Sequence, residues 1–230
     1  DIINVGQNGT LNILKCLNDT AKIIFPSTHV VYEGFQEVRE NLKEEETPCP
    51  ILTYSTNKRQ SELDIINSKK NYIILRLGSV YGYSGDTMRI GIMPNLFSKI
   101  SSQNGTIKLF SKGRQLKSLV NLIDVVRCMK FVEENNKISN ETFHLVNEQL
   151  TVKDVAKICK KINPKVTLIS TNDITPNKGY TLSNQKLLKT GFKFLYNIED
   201  SIKQMINEWS YKDKKNELEQ IFKGKDDFID

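Results

Sequence analysis

Tyr54 and Lys58, in the stretch "TYSTNKRQSE", stand four residues apart, so on a helix their side chains share one face. Such a pair can move a proton. A free tyrosine, with a pKa of about 10, is a poor base near neutrality. A neighbouring ammonium favours the phenolate and lowers that value. If Tyr54 opens its helix, the positive end of the helix dipole acts in the same direction. Small hydroxyl side chains, Ser27 and Thr28, end the earlier apolar run "AKIIFPST". The two histidines are His29 and His144, and the four cysteines are Cys16, Cys49, Cys128 and Cys159, none at a C-x-x-C spacing. No structural zinc site is expected from that set. Cys16, Cys128 and Cys159 fall in amphipathic stretches and are expected to be reduced core residues. Unpaired cysteines of this kind suit a cytoplasmic setting.

The elements that must position these residues follow from periodicity. Helical spacing covers about Thr10 to Leu17, and "AKIIFPST" reads as a short strand. Glu33 to Pro50 is acidic and irregular and reads as a surface loop. A helix is predicted from Tyr54 to about Ser68, and a buried strand, Tyr72 to Leu77, runs into the glycine turn of "RLGSVYG". This βα alternation predicts a parallel sheet. Beyond Gly82 the pattern predicts a helix at Met93 to Ser101 and strands at "TIKLF" and "KSLVNLI". A helix from Asp124, as N-cap, to Glu134 comes next, then a strand at "TFHLV" and a helix opened by Thr151. "KVTLI" and helices near Ser183–Lys189 and Ile198–Trp209 complete the fold. The charged stretch from Tyr211 onward reads as a tail or linker, and no internal repeat is present.

Bulk properties bound the function. The 230 residues are 38% hydrophobic, with no apolar run near the roughly 20 residues of a membrane span, so a soluble, membrane-free globular chain is expected. The net charge of +6 fits a lysine-rich solvated surface or a basic groove for phosphate groups. No recognition helix, zinc finger or interleaved basic–aromatic pattern points to nucleic acid. The chain opens on Asp1, without a Met or a basic n-region, and is expected to begin inside a longer protein.

Three motifs occur in a fixed order: "FPSTHVVYEG", "YSTNKRQSE" and "ILRLGSVYG". With them, the chain resembles the short-chain dehydrogenase/reductase superfamily in its extended branch, the NAD-dependent epimerase/dehydratase family of nucleotide-sugar enzymes. "GRQLKSLVNLIDVVR", "TFHLVNEQLTVKDVAKI" and "TLSNQKLLKTGFKF" resemble the family's later elements, so the likeness runs from about Val5 to Trp209. It implies an α/β fold, a Rossmann-like parallel sheet with flanking helices, plus a smaller α/β substrate-binding lobe. The implied divisions are residues 1–82, mainly 83–210, and a tail at 211–230. It implies Tyr54 as acid/base, Lys58 as its tuner and a holder of the cofactor ribose, and Thr28 as the substrate's hydroxyl partner. Ser27, Leu77 and Val80 join Tyr54 and Lys58 on the NAD side. Ser79, Arg89, Arg114 and Lys117 join Thr28 on the side of a nucleotide-diphosphate sugar, the cations facing the diphosphate. Asp124 matches a structural aspartate that caps its helix.

Departures from the family pattern narrow the chemistry. Dehydratases of the family carry Asp-Glu after the catalytic threonine, where this chain has His29 and Val30. Val30 cannot move a proton, which argues against dehydration, whereas His29 could act as a second acid/base. "RLGSVYG" holds Leu77 and Ser79 where the family has proline and asparagine. The opening "IINVGQNGTLNIL" is not a dinucleotide loop, because Asn12 stands where a third glycine is needed and the next strand ends in hydroxyls rather than an acidic residue. It resembles instead the family helix that leads into the Ser/Thr strand. The resemblance therefore implies an N-terminally truncated member that lacks the main pyrophosphate grip. The expected function is an NAD-dependent nucleotide-sugar epimerase, possessing the catalytic residues without the full cofactor site. The alternatives are a nucleotide-sugar 4-reductase or decarboxylase of the same fold, or a non-catalytic binding module that no longer holds NAD. A homodimer through the opening helix and the Tyr54 helix is implied by resemblance alone.

Overall fold

The computed structural model describes residues 3–85, 88–173 and 179–210, so the charged stretch from Tyr211 lies outside the described residues. The strands are β1 (Lys22–Thr28), β2 (Arg39–Leu42), β3 (Asn71–Leu77), β4 (Ser79–Tyr81), β5 (Thr106–Leu109), β6 (Leu116–Asn121), β7 (Glu141–Leu145), β8 (Glu148–Thr151), β9 (Thr167–Ser170) and β10 (Tyr180–Leu182). The helices are α1 (Gly9–Cys16), α2 (Thr53–Asn67), α3 (Met93–Ser102), α4 (Leu122–Glu134), α5 (Val152–Ile162), α6 (Gln185–Leu188) and α7 (Ile198–Ser210). The fold is α/β with parallel strands and flanking helices, as the alternation predicts.

The chain divides into two units, which interleave in sequence. One gathers the described residues within Asp1–Val80, Lys117–Gln149 and Asn177–Leu195. Its centre is a parallel sheet in the order β1-β3-β7. Register sets Ser27 beside Arg76 and Arg76 beside His144, with Thr28, Leu77 and Leu145 in the next row. Strand side chains alternate between faces, so these two rows point to opposite sides. The second face is apolar: Ile73, Leu75, Phe143 and Leu145 pack with Val125, Cys128 and Val132 of α4 and with Leu187 and Phe192. Gly78 links β3 to β4, and a Cβ there would meet the Ser118 carbonyl oxygen at 2.7 Å. Only glycine permits that approach.

α2 packs on α1 through small polar residues. A Cβ on Gly6 would lie 1.9 Å from Asn57 Oδ1, and Thr10 Oγ1 donates to Ser61 Oγ at 3.2 Å. Leu14 is the buried residue of α1. Cys16 is exposed, contrary to its expected place in the core, because its position falls outside the face of α1 that Leu14 buries. Cys128 and Cys159 are buried as expected.

Two further differences have clear causes. The cap of α4 is Asn121, whose Oδ1 accepts from the Ile123 amide at 2.7 Å. Asp124 sits inside the first turn, fully buried, and accepts from Arg127 Nη1 at 2.5 Å and the Leu195 amide at 3.2 Å. It therefore ties α4 to the Lys193–Leu195 segment rather than capping it. The stretch read as a surface loop contains β2, which pairs in parallel with β10.

The other unit gathers the described residues within Tyr81–Leu116, Leu150–Pro176 and Tyr196–Asp230. It holds the parallel pair β5-β9 and helices α3, α5 and α7. Thr151 and Asp154 form a reciprocal capping box at the start of α5, as the sequence predicts of Thr151. Lys99 of α3 is fully buried with its ammonium 5.4 Å over the Trp209 ring.

Candidate active site

Tyr54 lies in the first turn of α2 and is 47% exposed. One turn on, Lys58 reaches β1: its Nζ donates to the Pro26 carbonyl at 3.0 Å and lies 4.7 Å over the Phe25 ring. Burial holds the Lys58 pKa below the ordinary lysine value, against the opposing pull of Glu62. Thr28 ends β1 two residues beyond Pro26, and its Oγ1 accepts from the Val30 amide at 3.3 Å, capping the 3-10 turn His29–Tyr32. Thus α2 and β1 carry the three expected residues, with Lys58 tied to the strand that ends in Thr28. Ser27 turns to the other face and donates to Glu62 Oε1 at 2.5 Å.

His29 sits in a defined tautomer. Tyr180 Oη donates to the His29 carbonyl at 2.9 Å, so it receives the His29 Nδ1–H at 3.0 Å. Nε2 is then an acceptor, and Ser79 Oγ donates to it at 3.3 Å. Burial, helped by the charge of Lys117, lowers the His29 pKa to about 3, so the ring is neutral near pH 7. Burial also raises the Tyr180 hydroxyl above the ordinary tyrosine value.

Beneath the strand ends lies a set of groups that motif reading does not single out. Arg76 Nε and Nη2 donate to Glu62 Oε1 and Oε2 at 3.0 and 2.9 Å, a bidentate pair. Arg59 Nη1 adds a bond to Glu62 Oε2 at 2.8 Å. Burial would raise the Glu62 pKa, but Arg76, Ser27 and Arg59 outweigh it and hold the carboxyl below its ordinary value. Arg76 Nη1 donates to Tyr32 Oη at 2.5 Å, and Tyr32 Oη pairs with His144 Nε2 at 3.0 Å. His144 Nδ1 faces the Ser183 carbonyl at 3.2 Å and must be its donor, so Nε2 accepts from Tyr32. Burial raises Tyr32 to about 12 and, with Arg76, lowers His144 to about 3. A sequence signal exists for the pair. Arg76 is the one charged residue in a buried apolar strand and requires a counter-charge. Glu62 lies four residues beyond Lys58 on the same helix stripe.

The remaining expected residues are dispersed. Leu77 and Val80 are half-buried against the apolar cluster of the central sheet. Ser79 bonds His29, and Lys117 is half-buried near it in the same unit. Arg89 and Arg114 are exposed and belong to the other unit. Among the described residues no group of His, Cys, Asp and Glu could hold a metal ion, and no helix is long and apolar enough to cross a membrane.

The sequence profile of the NAD dependent epimerase/dehydratase family matches residues 1–147. A probable low-salt glycan biosynthesis reductase of Haloferax volcanii is 26% identical over 159 residues, which is 68% of this chain and 51% of the reductase. The chain thus spans about half the length of that curated relative. The UDP-glucose 4-epimerase of Thermotoga maritima, solved with UDP-glucose, superposes with a TM-score of 0.76 at 21% identity, covering 90% of this chain and 69% of that one. The UDP-glucuronic acid 4-epimerase of Bacillus cereus, solved with UDP-glucuronic acid and NAD, gives 0.75 at 20% identity, covering 90% and 68%. At these identities the structural likenesses carry the fold.

Proposed function

The chain belongs to the NAD dependent epimerase/dehydratase family, and on that premise we propose that it performs the proton chemistry of hydride transfer at one carbon of a nucleotide-diphosphate sugar. Tyr54 exchanges the proton of the sugar oxygen, Thr28 orients that oxygen, and Lys58 supports Tyr54. The observation that carries this reading is the bond from Lys58 Nζ to the Pro26 carbonyl at 3.0 Å, which ties the helix bearing Tyr54 to the strand ending in Thr28.

The nicotinamide end of NAD fits these residues. Lys58 has three N–H donors, of which one meets Pro26, leaving others for a ribose. When bound, NAD supplies the hydride acceptor and donor. The chain's residues contain no Gly-x-x-Gly-x-x-Gly, so none of them is assigned to the pyrophosphate. Lys117 remains the proposed diphosphate contact on this unit. The proposed homodimer through α1 and α2 is supported by exposed apolar residues on and just before α1: Ile3, Val5 and Ile13.

Loss of water from the sugar is not supported. His29 has both ring nitrogens engaged, by Tyr180 and Ser79, and stays neutral down to about pH 3. Val30 has no proton to give. What remains is oxidation and reduction, either as an epimerase, in which hydride leaves and returns, or as a reductase. The epimerase reading is supported by the fold shared with two 4-epimerases. The reductase reading is favoured by the 26% identity to the archaeal reductase.

The test offers the protein UDP-glucose with NAD, and separately a 4-keto nucleotide sugar with NADH, following absorbance at 340 nm and the sugar by NMR. Inversion of the C4 hydroxyl without net NADH change identifies the epimerase. Stoichiometric NADH consumption identifies the reductase. Turnover that persists in Tyr54→Phe overturns the assignment of Tyr54.

A further inference from the structure

The first amides of a helix lack partners inside it and need an acceptor. Helix starts usually find one in a Ser, Thr, Asp or Asn at the N-cap. The N-cap of α2 is Leu52, which has no such side chain. The anchor lies upstream and holds the chain at the threshold of the helix: Glu33 Oε1 accepts from the amide of the cap residue itself, Leu52, at 2.8 Å and from the Ile51 amide before it at 3.3 Å. The Ser55 hydroxyl, in the first turn of α2, donates to the same oxygen. A carboxylate also suits the positive end of the helix.

Glu33 is placed by the turn that follows Thr28. Thr28 caps the front of the 3-10 turn His29–Tyr32, and Glu33 closes its back, with the Glu33 amide on the Val30 carbonyl at 3.1 Å. Val31 and Tyr32 are fully buried and anchor the turn. The chain entering α2 is stitched to it twice more, by the Cys49 amide on the Val31 carbonyl and the Gly34 amide on the Cys49 carbonyl, both at 2.8 Å. A Cβ on Gly34 would sit 2.3 Å from the Cys49 carbonyl, so the approach needs glycine.

The Glu62–Arg76 pair cannot replace this clamp. It holds α2 eight residues beyond Tyr54, about 12 Å along the axis. Helix ends fray independently of an anchor that far away. We propose that Glu33 is a positioning residue that, through Leu52 and Ser55, fixes Tyr54 relative to Thr28. The proposal rests on the reading of Tyr54 and Thr28 as the reacting pair.

The experiment compares Glu33→Ala and Glu33→Gln with the wild-type protein, by amide hydrogen exchange without added ligand and by steady-state kinetics. For Glu33→Ala, exchange at Ile51 and Leu52 should rise about tenfold or more while β1 and β3 stay protected, since a local opening is read separately from global unfolding. In the same variant kcat should fall about 10- to 100-fold with KM changed less than about threefold, because misplacement of a reacting group affects the chemical step. Glu33→Gln keeps an acceptor oxygen and should recover most of both properties. Unchanged exchange at Ile51 and Leu52 in Glu33→Ala overturns the clamp. A kcat loss in Glu33→Gln equal to that in Glu33→Ala overturns it in favour of a charge effect. If the wild-type protein turns over no nucleotide sugar, the function reading fails, and the exchange data alone still decide whether Glu33 holds the start of α2.

Discussion

The two faces of the central sheet hold the molecule by different means. On one face Ile73, Leu75, Phe143 and Leu145 pack with α4 in an apolar cluster. On the other, Ser27, Arg76 and His144 line up across three strands and bond to Glu62 of α2 and to Tyr32. Apolar packing is nondirectional and tolerates swaps that conserve volume. A bidentate ion pair fixes both distance and angle. The directional face is the one that carries α2, the helix with the proposed reacting residues Tyr54 and Lys58. Two adjacent rows of one register thus separate the work of orienting from the work of filling space.

The largest effect expected from breaking this contrast is at Arg76. Arg76→Met leaves Glu62 buried with only Arg59 and Ser27, and should lower stability by about 3–5 kcal/mol in urea unfolding. The double variant Glu62→Leu/Arg76→Met removes both charges and should return to within about 1–2 kcal/mol of the wild type. Its turnover should remain low, because the helix has lost its angular constraint. A double variant with restored stability and full turnover would show that the pair supplies no orientation.

Leu75→Ala probes the apolar face, where Leu75 is fully buried, and should cost about 2–5 kcal/mol. Here turnover at a temperature where the variant is folded should stay close to that of the wild type. A kcat loss matching that of the double variant Glu62→Leu/Arg76→Met would erase the distinction between the faces.

Much of this architecture is legible in the sequence, for physical reasons that also mark the limits. The runs "AKIIFPST" and "NYIILRL" give the parallel strands, since a sheet covered on both faces reads as continuous apolar sequence. The four-residue spacing of Tyr54 and Lys58 is a local property and survives folding as a shared face of α2. Bonds between distant segments are not local. Glu33 meets Leu52 across 19 residues, and His29 meets Tyr180 across 151. No periodicity announces either contact, so Glu33 reads as the start of an acidic loop. Asp124 is misread for a related reason. Its type suits an N-cap, but Asn121, three residues earlier, occupies that position, and burial of Asp124 serves the contact to Leu195. Cys16 is misread because it lies off the face of α1 that Leu14 buries, and spacing alone does not say which apolar residues of a short helix are covered.

The sharpest separation of the two faces lies in the acid range. His144 is neutral in the folded state, with Nδ1 donating to Ser183 and Nε2 accepting from Tyr32 beside the Arg76 cation. Burial and Arg76 lower its pKa from 6.5 to about 3. A histidine depressed in this way binds fewer protons folded than unfolded. Its contribution is fully present above pH 6.5 and is lost as pH falls through the window from 6.5 to about 3. The loss can reach about 1.4 kcal/mol per pH unit for one histidine. His29, whose pKa burial also lowers to about 3, acts in the same direction over the same window. Glu62, whose pKa is lowered, adds a further loss that begins as pH falls through its ordinary value of 4.5. Urea unfolding from pH 7 to pH 4 should therefore show falling stability in the wild type and a shallower slope in His144→Gln. Leu75→Ala should run parallel to the wild type, displaced downward, since the apolar face binds no protons. A His144→Gln slope equal to that of the wild type would place the acid sensitivity outside the directional face.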